Sequence, residues 1–353
     1  MLHVFTNFDG APPEGRVLRN ATNFFAVKAF SETDSEALRL EIGIENDADS
    51  PTPIELEINW PSTQFSDLRD CFYWKPERSR EWTPVVGQTI PGRSTVKLDI
   101  PSGWGLFCLQ PRYGVDDLEQ YVFRLKSEFL VCDSFGESEY GRQLLLLRIG
   151  NPDGKRFLFT ARNHPDESAG SFCIEGMVNF LLSADPLAQW ARREMSFQFM
   201  PMTNPDGVAD GMSRYSSPTG ADMNRTPDWN RTHRPGYQED PVLNACFGLY
   251  EQLQPHYFIN LHSNLLRFED TICAADVSVL DRFIHFMPDQ TEYGKTWTRV
   301  VDSMPDTPTG YCVEKFGTIP LLLKLPWFMR NAEIMRETGR KILTSIILSS
   351  VQP

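Results

Sequence analysis

Residues 156–167 read Arg-Phe-Leu-Phe-Thr-Ala-Arg-Asn-His-Pro-Asp-Glu. Arg156 to Thr160 is a short apolar run of strand type, and the chain leaves it through a turn that carries His164 and Glu167. A helix follows, from about Ser171 to Ser183. The pattern repeats outward. Leu144 to Ile149, Ser196 to Met200 and His256 to Leu261 read as strands, while Pro186 to Met195, Pro241 to Leu253 and Asn331 to Ser349 read as helices. Strands alternating with helices predict an α/β domain: a mixed, mostly parallel twisted sheet with helices on both faces. Such a sheet binds ligands beyond the carboxyl ends of its strands, where His164 and Glu167 fall.

Upstream the texture differs. Short runs at Asn23 to Ala29, Leu38 to Ile44, Ile54 to Trp60 and Thr95 to Ile100 are separated by turn residues at 47–53 and 90–94. Several short strands at this spacing predict an antiparallel β-sandwich. The 353 residues suffice for about two domains at roughly 150 residues each. We therefore expect a β-sandwich domain over residues 1–117 and the α/β domain over 118–353.

Composition removes several functional classes. With 41% hydrophobic and 23% charged residues the chain is neither disordered nor fibrous in type. Its 34 Lys+Arg against 47 Asp+Glu give a net charge of −13, and no dense basic run offsets this, so a nucleic-acid partner is not expected. The N-terminus has no basic segment followed by an apolar one, and no long apolar stretch occurs downstream, so neither secretion nor membrane insertion is expected. Seven scattered cysteines without a CxxC pair argue against a disulfide framework and a thiolate metal site, and the simplest compartment is the cytoplasm.

Four segments carry chemistry. His164 and Glu167, three residues apart at a turn, can converge as nitrogen and oxygen ligands, although the same spacing suits a surface histidine beside a helix start. His262 ends the apolar strand Phe258 to Leu261; with the first pair it makes a His2Glu set, which leaves a fourth position open on a zinc ion. The loop from Asn204-Pro-Asp-Gly through Arg214 to Asn224-Arg225 suits a carboxylate, because guanidinium offers a planar fork of donors, though loop arginines are also commonly solvated. Glu314, in the strand-like stretch Tyr311-Cys-Val-Glu, is the type of group that acts as a general base beside a metal-activated water.

Together and in this order, His164-Pro-Asp-Glu167, Asn204-Pro-Asp-Gly207 with Arg214, Gly220-x-Asp-x-Asn224-Arg225, Leu261-His262-Ser263 and Glu314 before a Leu-Pro ending at Pro326 resemble the zinc metallocarboxypeptidases of the carboxypeptidase A type. Phe5-Thr-Asn-Phe-Asp-Gly, Trp82-Thr-Pro-Val and Gln110-Pro-Arg-Tyr-Gly-Val-Asp-Asp-Leu resemble the β-sandwich domain that precedes the catalytic domain in cytosolic carboxypeptidases. The resemblance implies one Zn2+ per chain held by His164, Glu167 and His262, with Glu314 as general base. It further implies that Arg214 polarises the scissile carbonyl, and that Asn224 and Arg225 grip the C-terminal carboxylate of a peptide or protein substrate. The implied reaction is hydrolysis of the C-terminal peptide or isopeptide bond. Two alternatives stay open: a zinc amidase or deacylase acting on a non-peptide or cell-wall-derived amide, and an inactive protein that binds peptide C-termini.

The chain also departs from that family. The flap tyrosine between the second histidine and the base has no clear equivalent: spacing points near Asp302, while Tyr293 and Tyr311 lie at other positions. Asn260, two residues before His262, stands where relatives often carry Asp and is expected to partner the imidazole. Arg299 is a candidate selector for an acidic terminal side chain.

Overall fold

The computed structural model describes all residues except 9, 14–15, 33–34, 36, 62–69, 80, 264–268, 288–296 and 352–353. Its first ten strands are β1 (Leu2–Phe5), β2 (Arg16–Ala21), β3 (Phe24–Lys28), β4 (Glu41–Asn46), β5 (Thr52–Asn59), β6 (Cys71–Pro76), β7 (Thr83–Val86), β8 (Gln88–Ile90), β9 (Arg93–Ile100) and β10 (Gly103–Cys108). They form two five-stranded sheets, ordered β1-β4-β10-β6-β7 and β2-β3-β5-β9-β8. Every pair is antiparallel except β3–β5, which is parallel. Alternating apolar residues of both sheets meet in one core: Ile42, Ile44, Phe72 and Phe107 from the first, Leu56, Ile58 and Val96 from the second. Burying these side chains is the main source of stability here, at roughly 1.5–3 kcal/mol each.

The chain then enters α1 (Val115–Arg124), whose first turn is closed by Asp117 accepting from the Gly114 N–H at 2.7 Å. The change of architecture falls between β10 and α1. The remaining elements are β11 (Leu130–Glu137), β12 (Gln143–Gly150), β13 (Lys155–Ala161), α2 (Ala169–Leu181), α3 (Pro186–Glu194), β14 (Met195–Met200), α4 (Pro205–Ala209), α5 (Pro227–His233), α6 (Pro241–Leu253), β15 (Tyr257–Ser263), β16 (Thr271–Ala274), α7 (Val277–Ile284), β17 (Thr298–Val301), α8 (Pro308–Phe316), β18 (Ile319–Leu325) and α9 (Ala332–Val351). Their eight strands make one sheet, ordered β11-β12-β14-β13-β15-β18-β16-β17. Its centre, β14-β13-β15-β18, is parallel throughout.

Strand alternation assigns the two faces. Phe157, Phe159, Ile259, Leu261, Leu321 and Leu323 pack toward α2 and α9, while Leu158 and Phe258 pack toward α6 and α8. The mostly parallel sheet with helices on both faces matches the sequence expectation. One element does not: the segment around Glu314 is helix α8 rather than a strand. Thr307 accepts from the Gly310 N–H at 3.0 Å as a cap, Pro308 occupies the first turn, and Gly317 closes the helix with φ 67°.

α2 and α9 cross where neither can carry a side chain. A Cβ on Gly176 would lie 1.9 Å from the Arg336 carbonyl oxygen, and one on Gly339 would lie 2.2 Å from that of Cys173. Gly176→Ala is therefore expected to cost about 1–3 kcal/mol in urea unfolding, since the helices must part. Gly248→Ala, in α6 with nothing within 4 Å of the new Cβ, is expected to stabilise by up to about 1 kcal/mol through helix propensity. Equal effects of the two substitutions would contradict this packing.

Candidate active site

The strands β13, β14, β15 and β18 all end at one edge of the sheet, and the site is built from the chain that leaves them. Arg162 exits β13 with φ 62° and is buried. Its guanidinium donates to the Tyr113 carbonyl at 2.6 Å and to the Pro165 carbonyl at 3.1 Å, which staples the turn from inside. Full burial, with Arg39 nearby, pushes Arg162 down to about 9. The stapled turn presents His164 and Glu167 over the strand ends, and β15 delivers His262 beside them.

These three side chains converge as expected. His164 Nδ1 lies 3.1 Å from Glu167 Oε1, and His262 Nδ1 lies 2.5 Å from Glu167 Oε2. One ligand atom from each can be chosen so that all lie within 4.8 Å of one another. Tetrahedral zinc ligands at about 2.1 Å sit about 3.4 Å apart, so the donor set fits zinc after a small contraction. Burial opposes charge on Glu167, but His262 and His164 outweigh it and hold the carboxyl far below its usual range. Burial also opposes charge on His164, yet Glu167 and Asp222 raise it to about 9. For His262 burial prevails and its pKa falls. The cluster thus binds a proton that a metal cation would displace.

Asp222 ties this cluster to the rest of the site. It is fully buried, its Oδ1 lies 3.5 Å from His164 Nε2, and that same oxygen accepts from the Asn224 N–H at 2.9 Å. Oδ2 accepts from Arg214 Nε at 3.0 Å and from its terminal nitrogen at 3.0 Å. Burial opposes the charge, but His164, Arg214 and Arg225 outweigh it and keep the carboxyl ionised. Asn230, inside α5, holds the backbone of Asp222 from both sides, accepting from its N–H at 2.8 Å and donating to its carbonyl at 3.0 Å. Asp222 was named in the sequence motif without a role; its spacing two residues before Asn224 was the available signal.

Asn224 and Arg225 form a pair of donors. The Asn224 side-chain oxygen accepts from Asn260 at 3.0 Å and from Asn163 at 3.4 Å, so the amide nitrogen is the atom left to face a ligand. Arg225 stacks 5.1 Å over the Trp229 ring and donates to its neighbour's carbonyl at 2.9 Å. Asn260 therefore orients Asn224, with Thr160 and Asn163 as its other partners, and makes no bond to the His262 ring. The expected imidazole partner is corrected accordingly.

One cavity of about 620 Å³ is lined by His164, Glu167, His262, Arg214, Asn224 and Arg225, together with Trp229, Asp302, Thr307, Lys324 and neighbours. Six of the seven site residues expected from the sequence meet there. The seventh does not: Glu314 is exposed on α8 and is not among the lining residues. The α8 residues on either side of it, Tyr311 and Lys315, bond Glu251 of α6, away from the cavity. Lys324, the partner of His262 in the parallel β15–β18 register, lines the cavity instead. A lysine inside the otherwise apolar run Ile319–Leu325 was the signal for it. Arg299 pairs with Asp281 on β17 and does not line the cavity, so it is not a selector there. Asp302 does line it, Tyr311 does not, and Tyr293 lies outside the described residues.

Because Asp222 fixes the His164 ring, Asp222→Asn is expected to weaken zinc binding about 10–100-fold, measured by competition with a chromophoric chelator. An unchanged affinity in a folded variant would contradict this role.

The comparisons agree with this geometry. The sequence matches the zinc carboxypeptidase family over residues 118–264. Cytosolic carboxypeptidase 6 of Mus musculus is 38% identical over 105 residues, which are 28% of this chain and 19% of that protein. Cytosolic carboxypeptidase 2 of Homo sapiens is 36% identical over 126 residues, 32% of this chain and 14% of that protein. The matches thus span less than a fifth of either relative. Among solved structures, the metallo-carboxypeptidase from Burkholderia cenocepacia has a TM-score of 0.84 at 16% identity over 99% of both chains. The metallo-carboxypeptidase from Pseudomonas aeruginosa, in complex with (2-guanidinoethylmercapto)succinic acid, has a TM-score of 0.79 at 15% identity over 98% of both chains. At these identities the likeness is one of fold. Over residues 118–264 the chain is thus similar to the zinc carboxypeptidases.

Proposed function

We propose that the cavity is a zinc-dependent carboxypeptidase site that takes the free C-terminal carboxylate of a peptide or protein. The observation that carries this reading is that a His2Glu donor set and a carboxylate-binding pair, Asn224 and Arg225, line the same cavity. Zinc, when bound, supplies Lewis-acid polarisation and lowers the pKa of water to about 7. The protein's own groups bind and orient the substrate. Arg225, steadied on Trp229, and the Asn224 amide nitrogen hold the carboxylate, which puts the last peptide bond toward the ligand set. Arg214, held by Asp222 and facing the cavity, is the donor for the carbonyl oxygen as it gains charge; one such donor is typically worth about 3 kcal/mol. Residues 1–117 are read as a β-sandwich unit that precedes this site. The cytoplasm is its proposed compartment, supported by the names of the relatives and by seven cysteines that are all free.

A second reading is favoured by one observation. Hydrolysis needs a proton acceptor within reach of the attacking water, and Glu314 is outside the cavity. Beside His262 stands Lys324, whose ammonium has only donors. On this reading the protein binds metal and peptide C-termini without turning them over.

Zinc-loaded protein should bind an N-acyl dipeptide acid about tenfold or more tightly than its C-terminal amide, because charged hydrogen bonds are lost in the amide; equal binding would contradict both readings. Lys324→Glu places a carboxylate beside His262 and, on the second reading, should raise turnover about 100-fold or more from a negligible baseline. Robust wild-type hydrolysis that Lys324→Glu does not increase would decide for the first.

A further inference from the structure

The loop that carries Arg214 is also held by the N-terminal sheets' connections. Three successive backbone N–H groups, of Ser213, Arg214 and Tyr215, point at a single oxygen, Glu32 Oε1, at 3.0, 2.8 and 3.2 Å. The second carboxylate oxygen of Glu32 accepts from the Ser213 hydroxyl. Consecutive amides converging on one anion form a nest, whose donors are already aligned before the anion arrives.

The flanking residues are gripped from the same side. Arg39, buried and paired with Glu41 at 3.0 Å, donates to the Met212 carbonyl at 2.7 Å and to the Gly10 carbonyl at 2.9 Å. Gly211, with φ 72°, lies so close to Ala11 that a Cβ there would come within 2.0 Å of the Ala11 carbonyl oxygen. The backbone of Arg214 is thus fixed by Glu32, and its guanidinium by Asp222. Both ends of the side chain are set before a ligand enters.

We propose that Glu32 is a positioning residue for Arg214: its carboxylate aligns the 213–215 amides and so holds the guanidinium where negative charge develops on a carbonyl oxygen. The inference rests on the carboxypeptidase reading for the role of Arg214, but the nest itself does not. It also gives the N-terminal sheets a part in the site, since a residue between β3 and β4 completes it. The side chains of Asn224 and Arg225 are held by Asn163, Asn260 and Trp229 rather than by the nest, so capture of the carboxylate is independent of Glu32.

The test compares two probes on the full zinc-loaded chain: an N-acyl dipeptide acid, and its phosphonate analogue, whose tetrahedral anion mimics the charge on the attacked carbonyl. Glu32→Ala should weaken the phosphonate about tenfold or more and change the plain acid by less than about threefold, with zinc content unchanged. Glu32→Gln, which keeps an acceptor oxygen, should restore most of the phosphonate affinity. Glu32→Asp, too short to reach all three amides, should act in the same direction as Glu32→Ala and serves if the latter does not fold. Equal loss for both probes, or no loss for either, would overturn the assignment. Hydrogen exchange without ligand reads the nest directly: the amides of residues 213–215 should exchange about tenfold faster or more in Glu32→Ala, and unchanged exchange would overturn the clamp. Faster exchange in a protein whose wild type binds neither probe would support the clamp and count against the carboxypeptidase reading.

Discussion

The site depends on one buried carboxylate. Asp222 has no access to water, and an isolated charge in that position would cost several kcal/mol. It is kept because each oxygen is engaged: one faces the His164 ring and the Asn224 amide, the other takes both available nitrogens of Arg214. His164, Asn224 and Arg214 are therefore referred to the same two atoms. Moving any one of them strands part of that charge. The reciprocal bonds of Asn230 to the Asp222 backbone fix the anchor itself.

The sheet explains why these groups can meet. Parallel strands β13, β15 and β18 end together, so His164, His262 and Lys324 arrive at one edge from three segments distant in sequence. The loop after β14 brings Arg214, Asn224 and Arg225 over the same edge, and α5 and Asn260 hold that loop from below. Glu32 and Arg39 hold it from the other side. Contributions from both parts of the chain converge on residues 210–226, which carry no regular secondary structure between α4 and α5. A loop so placed would otherwise be the most mobile part of the site.

What the sequence reveals, and what it conceals, follows from the range of each signal. The alternation of apolar strands with helices is local and visible, and α6 (Pro241–Leu253) carries the same bounds in the sequence reading and in the structure. The residues His164, Glu167, His262, Arg214, Asn224 and Arg225 sit in compact motifs and could be named individually. Glu314 was misplaced because it was judged by its chemistry in an apolar context. The Thr307-Pro308 start and Gly317 stop around it already spell a helix, and a helix turned it outward. Lys324 was overlooked because its meaning lies in register: only pairing with His262 across two strands, 62 positions apart in sequence, brings it to the cavity. Asp222, Asn163 and Glu32 were missed for the same reason, since a supporting residue is defined by the partner it holds. The parallel β3–β5 pair within otherwise antiparallel sheets likewise leaves no local trace.

If zinc binds at this site, His164, Glu167 and His262 hold it and none of the seven cysteines takes part. Zinc K-edge absorption on the loaded chain tests this most directly. The account requires a shell of nitrogen and oxygen scatterers at about 2.0–2.2 Å, with the outer-ring signature of two imidazoles that disappears by half in His262→Ala. A sulfur scatterer at about 2.3 Å, or a spectrum unchanged by that substitution, would contradict it.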